Sequence, residues 1–233
     1  HVVKNANFID CSKFNSDKRY ILELIDVSPE VDLALLNVVD YDEFWEKIDI
    51  LDLKKPGKKG DGVSVAGFPL GGYNVSITKG IISRILMIPY SDAVENIAMQ
   101  VDSAINHGNS GGPMLNSAGQ IVGMAFSHES KAQNICFGIP STIIKFYLES
   151  IEKNGRFAGL SDLDLVSDPM ENPDLIKYYT NSQKSDSVNV GVLVRRIAPC
   201  GNTGHVLKSE DVIHQINGIN INRDQTVFIE DYL

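Results

Sequence analysis

The sequence is short of basic charge, of cysteine and of long apolar runs, and each shortage removes a class of function. Its 21 Lys and Arg are outnumbered by 30 Asp and Glu, for a net charge of −9. A general nucleic-acid binder shows a basic face, so that class is set aside. No apolar run approaches the ~20 residues of a membrane span. Three cysteines, Cys11, Cys136 and Cys200, are odd in number and far apart, which argues against a disulfide framework and is compatible with a reducing compartment. No segment that would fix localisation is legible. What remains is ordinary for a globular protein: 22% charged and 43% hydrophobic residues over 233 positions, enough for two compact domains.

The most informative stretch is Gly108-Asn109-Ser110-Gly111-Gly112-Pro113. Glycines on both sides of a serine let the backbone take positive φ and aim successive N–H groups into one concavity. Such a turn supplies an oxyanion hole and a serine placed to attack a carbonyl held there. A serine nucleophile also needs a base and a group that orients the base. His1, opening the strand-like His1-Val2-Val3, and Asp32, ahead of the apolar run Leu33 to Leu36, provide both. The order His, Asp, Ser is that of the chymotrypsin-type enzymes. Taken singly, the glycine turn could be a hairpin, and Asp32 a turn or cap residue. Their joint order favours catalysis.

The organisation reads as two β-rich modules. Tyr20–Val27, Leu33–Val39, Val63–Phe68, Val75–Ile85, Ile97–Val101 and Gln120–Phe126 have strand composition between turn residues. Short strands at this spacing point to a barrel or sandwich. The segment between Ser83 and Ile97 reads as a long loop and a candidate sensor. A helix is expected from Ser141, with Ser141 as its cap, an apolar face of Ile144, Tyr147, Leu148 and Ile151, and Asn154-Gly155 as its end. That face belongs against a barrel rather than a membrane. Beyond Gly155 the pattern restarts, with a strand over Gly191–Ile197 and an Asn217-Gly218 hairpin. Phe44 and Trp45 are expected to pack on the first module or on a neighbouring subunit. His107, His128 and Cys136 match no metal-ligand spacing, so neither metal nor cofactor is expected. Arg195-Arg196 reads as a solvated strand end.

On these segments, together with Gly67-Phe68-Pro69-Leu70-Gly71-Gly72, Ser76 to Ser83, Asp102 to Pro113, Phe137-Gly138-Ile139-Pro140, Met170 to Leu175 and Gly191 to Arg196, the chain resembles the HtrA/Deg serine proteases, most of all their plant and protist branch. The resemblance implies a mostly β chain: a chymotrypsin-like double β-barrel protease domain over 1–156, then a PDZ-like domain over 157–233, each incomplete at the chain end. It implies an ATP-independent serine endopeptidase that cleaves unfolded or damaged proteins and assembles as trimers or multiples of trimers. The catalytic group would be His1, Asp32 and Ser110. Gly108, Asn109 and Ser110 would form the oxyanion turn, with N–H donors on Gly108 and Ser110. Ile105 and Phe126 would line an apolar substrate pocket suited to aliphatic residues.

Asn109 stands where trypsin-like secreted enzymes carry an aspartate that pairs with a freshly cut N-terminus. Being neutral, it cannot form that pair, so control is expected from loop ordering rather than from cleavage. In the PDZ-like module Leu163, Asp164 and Leu165 occupy the peptide-carboxylate loop, with Asp164 where glycine is usual. A carboxylate there would repel a free C-terminus; an Asp164 that merely faces water would not. Two non-proteolytic readings stay open, a chaperone or holdase using the same cleft and a PDZ peptide-binding scaffold. Because the chain opens on the histidine and ends within the second module, an internal fragment of a longer polypeptide is expected.

Overall fold

The computed structural model describes residues 1–39, 41–46, 48–69, 74–91, 94–103, 108–128, 135–180, 191–199, 202–225 and 227. They form two compact units, His1–Gly159 and Leu160–Leu233.

The first unit opens with a three-stranded antiparallel sheet, β1 (Asp10–Ser12), β2 (Arg19–Ser28) and β3 (Leu33–Val38), in that spatial order. A short helix α1 (Tyr41–Trp45) follows. Phe44 packs edge-on against Tyr20 and Trp45, each 5.1 Å away, and the Lys13 ammonium donates to the Glu43 and Glu46 carbonyls. The next six strands, β4 (Gly62–Gly67), β5 (Ser76–Ser91), β6 (Val94–Val101), β7 (Pro113–Leu115), β8 (Ile121–His128) and β9 (Cys136–Pro140), close into a barrel in the order β4-β5-β6-β9-β8-β7. Among the described residues, the two halves of the expected chymotrypsin-like double barrel are this three-stranded sheet and the closed six-stranded barrel. Val63, Val65, Ile82, Met99, Val101 and Met114 fill the barrel interior. On β4 (Val63, Val65) and β6 (Met99, Val101) their alternation is the period-2 pattern of a sheet with one dry face.

Two expectations are corrected here. The stretch from Ser83 to Ile97 is not a long loop: β5 runs on to Ser91 and pairs with β6 from Val94. Its β-branched and aromatic residues (Ile85, Ile88, Tyr90) suit a strand, and Pro89 is accommodated next to a bulge. His1-Val2-Val3 is likewise not a strand. The Lys4 and Ala6 N–H groups donate to the His1 and Val3 carbonyls at 3.1 Å, which makes this segment a succession of turns.

Helix α2 (Ser141–Asn154) packs on β8 and β9 and ends on Gly155, whose φ of 75° and N–H bond to Ile151 make it a left-handed C-terminal cap. Ser141 is not its N-cap. That position falls to Pro140, and Ser141 is the first helical residue, its hydroxyl buried with no hydrogen-bond partner among the described residues. The buried face is also rotated from the expected one: Tyr147, Ser141 and Ser150 are inside, and Leu148 is exposed. The reason is polar. The Tyr147 hydroxyl donates to Asp26 of β2 at 2.8 Å, and the Phe157 N–H reaches the other oxygen of the same carboxylate. Burial and this carboxylate push the Tyr147 phenol above its ordinary range, so it remains a donor. Tyr147→Phe removes a bond to a charged acceptor, and a loss of about 1–2 kcal/mol is expected, read as a lower urea midpoint at unchanged slope.

The second unit contains a sheet of β10 (Leu165–Pro169), β11 (Val192–Ile197) and β12 (Val212–Ile213), helix α3 (Pro173–Thr180), and the hairpin of β13 (Gln215–Ile216) and β14 (Ile219–Asn220). Asn217 and Gly218, at φ 51° and 79°, make the turn that an Asn-Gly pair favours. Asn172 caps α3 by accepting the Asp174 N–H, with Pro173 at the first helical position. Met170 and Ile176 form the center of a small core with Leu193 and Val212. Arg195 is not merely solvated, since its guanidinium forks onto Asp168 of the neighbouring strand, with Nε 2.6 Å from Oδ2.

Candidate active site

The serine turn is built by glycines that give way to backbone. Gly108 has a φ of 101°, and a Cβ there would overlap the Phe68 carbonyl. A Cβ on Gly112 would overlap the Ala66 carbonyl, and one on Gly67 would strike Asn109. Glycine at these three places lets the turn press against the end of β4. The Phe68 N–H then donates to the Gly108 carbonyl at 3.1 Å, the Gly112 N–H to Asn109 at 2.9 Å, and the Gly111 N–H to Ala125 of β8 at 2.7 Å. Ser110 is held half-buried at the apex. Among the described residues its N–H and that of Gly108 have no acceptor, as donors reserved for a ligand oxygen would. Asn109 is 1% exposed, and its side-chain oxygen has no partner among the described residues.

His1 and Asp32 come together across the turns that precede β1 and β3. His1 Nδ1 lies 2.5 Å from Asp32 Oδ2, and the His1 backbone nitrogen donates to Oδ1. A carboxylate only accepts, so Nδ1 carries a proton in this contact, and in the neutral imidazole Nε2 is then the acceptor. Asp32 adopts a φ of 51°, in the left-handed region that Asp and Asn tolerate best, and its side chain is 8% exposed. Low exposure limits the competition of water for this contact.

Phe126 links the two halves. Its ring is 7% exposed and stands edge-on to the His1 ring, centroids 6.4 Å apart. Its carbonyl accepts the Ser110 hydroxyl at 3.3 Å. The nucleophile candidate is thus parked on a backbone carbonyl rather than hydrogen-bonded to the histidine. A cavity of about 220 Å³ is lined by His1, Asp32, Gly111 and Phe126 together with the apolar Leu36 and Met124. Ile105, the other expected pocket residue, lies outside the described residues, as do His107 and Cys200. Sequence reasoning missed Tyr90 of β5 as part of this site. Its ring stacks on Phe126 at 4.6 Å, and burial together with the nearby Asp32 charge pushes its phenol well above the ordinary range. The continuity of β5 through Pro89 is what hid it.

A family model described as the trypsin-like peptidase domain matches residues 1–124. Protease Do-like 2 (chloroplastic) of Arabidopsis thaliana is 34% identical over 97% of this chain and 37% of its own length. Protease Do-like 4 (mitochondrial) of the same plant is 35% identical over 97% of this chain and 43% of its own. The solved structure of the HtrA-type protease AlgW with decapeptide superposes with a TM-score of 0.68 at 25% identity, covering 94% of this chain and 65% of that one. The chain belongs to the HtrA/Deg family of trypsin-like peptidases. It spans about two fifths of the length of these plant relatives.

In this HtrA/Deg chain the residues expected to form a peptide loop, Leu163 to Leu165, lie in the second unit. Asp164 has a φ of 51°, a conformation that favours glycine, held by its N–H bond to Asp162 Oδ1 and by its carbonyl, which accepts the Ala198 N–H. Asp162 and Asp164 are both exposed, Leu163 is half exposed, and Leu165 begins β10. Among the described residues no helix is long and apolar enough to cross a membrane.

Proposed function

We propose that this chain is the catalytic part of an ATP-independent serine endopeptidase acting on unfolded or damaged proteins. The observation that carries the reading is the His1–Asp32 contact at 2.5 Å on one cavity wall, with Ser110 on its glycine turn next to Gly111 of the same wall. Asp32 holds the His1 tautomer that can take the Ser110 proton. Once substrate draws the hydroxyl off the Phe126 carbonyl, Ser110 Oγ attacks the scissile carbon, and the Gly108 and Ser110 N–H groups receive the oxyanion. Asn109 shapes the turn between them. Ile105 and Phe126 offer no charge, which favours small or medium aliphatic residues before the scissile bond. Only an extended chain can enter such a cleft, hence unfolded substrates. Assembly as a trimer or multiple of trimers, and control by ordering of segments around the site rather than by cleavage, are part of the same reading. Digestion of casein by the full-length protein, set against a Ser110→Ala control, tests it. A heat-labile globular protein kept soluble on heating but left uncut by the wild type would favour the holdase alternative.

The second unit is proposed as a PDZ-like module that prefers internal segments or subunit contacts to free C-termini. The reading rests on the exposed Asp164 carboxylate in a loop position whose backbone suits glycine. A ligand carboxylate within ~5 Å would be disfavoured by roughly one to a few kcal/mol at protein-surface dielectric. Peptides with free and amidated C-termini, titrated onto the full-length Ser110→Ala variant, are expected to bind equally or with the amide ahead. Asp164→Gly should improve free-acid binding about five- to tenfold. A wild-type preference of tenfold or more for the free acid would show that Asp164 points away from the ligand.

A further inference from the structure

We propose that Tyr90 is a positioning residue of the peptidase reaction, setting His1 and Ser110 through the ring and carbonyl of Phe126. The proposal rests on reading His1 and Ser110 as base and nucleophile. Its first support is a pair of β-bulges. On β5, Pro89 pairs with Glu95 and Ser91 with Val94, which leaves Tyr90 as the extra residue. On β8, Ala125 pairs with Gly138 and Ser127 with Phe137, which leaves Phe126 extra in the same way. A bulge takes its residue out of the ladder and re-aims the side chain. Strands β5 and β8 are separated in the barrel by β6 and β9, yet the two bulged residues meet ring on ring at 4.6 Å and 35°.

The second support is what Phe126 touches. Its ring edge meets the His1 ring, and its carbonyl accepts the Ser110 hydroxyl. A shift of Phe126 therefore moves both reacting groups together. Tyr90 opposes such a shift because it is itself anchored: its hydroxyl donates to the Ile97 carbonyl on β6. Burial and the Asp32 charge keep that phenol protonated, so the anchor is a donor across the working pH range. Tyr90 touches no reacting atom, and its effect is one of geometry. A misplacement of about 1 Å at a catalytic group costs on the order of a hundredfold in rate.

The test uses the full-length protein with a short fluorogenic peptide and, separately, the rate at which a fluorophosphonate labels the active serine. Tyr90→Leu is expected to lower kcat and the labelling rate together by about ten- to a hundredfold, with KM within about threefold. Tyr90→Phe keeps the ring and should recover at least tenfold of a hundredfold loss. Phe126→Leu keeps the carbonyl and should lower kcat and the labelling rate as Tyr90→Leu does, with a change in KM besides because Phe126 also lines the proposed pocket. The double variant should lose no more than the worse single, because both act through one contact. Multiplicative losses in the double variant, or a normal kcat in Tyr90→Leu, overturn the proposal. If Tyr90→Leu does not fold, the decision passes to the other two singles, and losses below twofold in both overturn it. The Ser110→Ala control separates the underlying reading: turnover and labelling that survive in it remove Ser110 as nucleophile, whatever Tyr90 does.

Discussion

Ser110→Ala is expected to reduce kcat by several powers of ten, with at most a small change in KM. The side chain lost is a single hydroxyl, half-buried, whose one hydrogen bond among the described residues is the 3.3 Å contact to the Phe126 carbonyl. The stability cost is therefore about 1 kcal/mol at most. Turnover and stability separate cleanly, which makes the variant decisive. What activity remains would come from the donors at Gly108 and Ser110, which alanine leaves in place, and from substrate binding. The triad precedent leaves about 10³–10⁴ over the uncatalysed reaction to those sources alone. Steady-state kinetics on a peptide, with a melting curve for each variant, measures both quantities. Near-normal proteolysis by contaminant-free Ser110→Ala would place the nucleophile elsewhere.

The parts of this site that could be read from sequence are those in which a residue type has few alternative uses. A serine with glycine before and after it by one or two places is such a case, and the overlaps at Gly67, Gly108 and Gly112 show the physical need for it. The Asn217-Gly218 hairpin and the Gly155 helix end are of the same kind, each required by a positive φ. Strands with strict alternation, such as Val63 to Gly67, were also legible.

What sequence could not deliver was set by tertiary context. By sequence Tyr90 reads as a loop residue and Phe126 as a strand residue beside the pocket, and only the register of β5 on β6 and of β8 on β9 makes each the bulged one. Register depends on partners far along the chain, which local composition does not carry. Leu148 was expected inside on periodicity, but the Tyr147–Asp26 bond, spanning 121 residues, rotates the helix face away from it. By sequence Ile88-Pro89-Tyr90 reads as part of a loop, whereas beside a bulge the missing N–H of Pro89 costs the ladder little.

Asp32→Asn should lower kcat by about 10⁴-fold while leaving the fold intact, following the triad precedent for the same exchange. The backbone there favours the comparison. At a φ of 51° asparagine is as well tolerated as aspartate, so the turn ahead of β3 is preserved. The amide has the same shape as the carboxylate but can present N–H groups to His1 Nδ1, now 2.5 Å from Oδ2. A donor facing Nδ1 drives the proton to Nε2, and the tautomer that could accept from Ser110 is lost. The charge that would stabilise the imidazolium is lost as well. Asp32→Ala removes the oxygen facing the His1 backbone nitrogen in addition, so it should cost stability where Asp32→Asn does not. Kinetics and thermal melting of the two variants side by side distinguish these effects. A loss below tenfold in Asp32→Asn, with an unchanged melting temperature, would mean that another group orients His1.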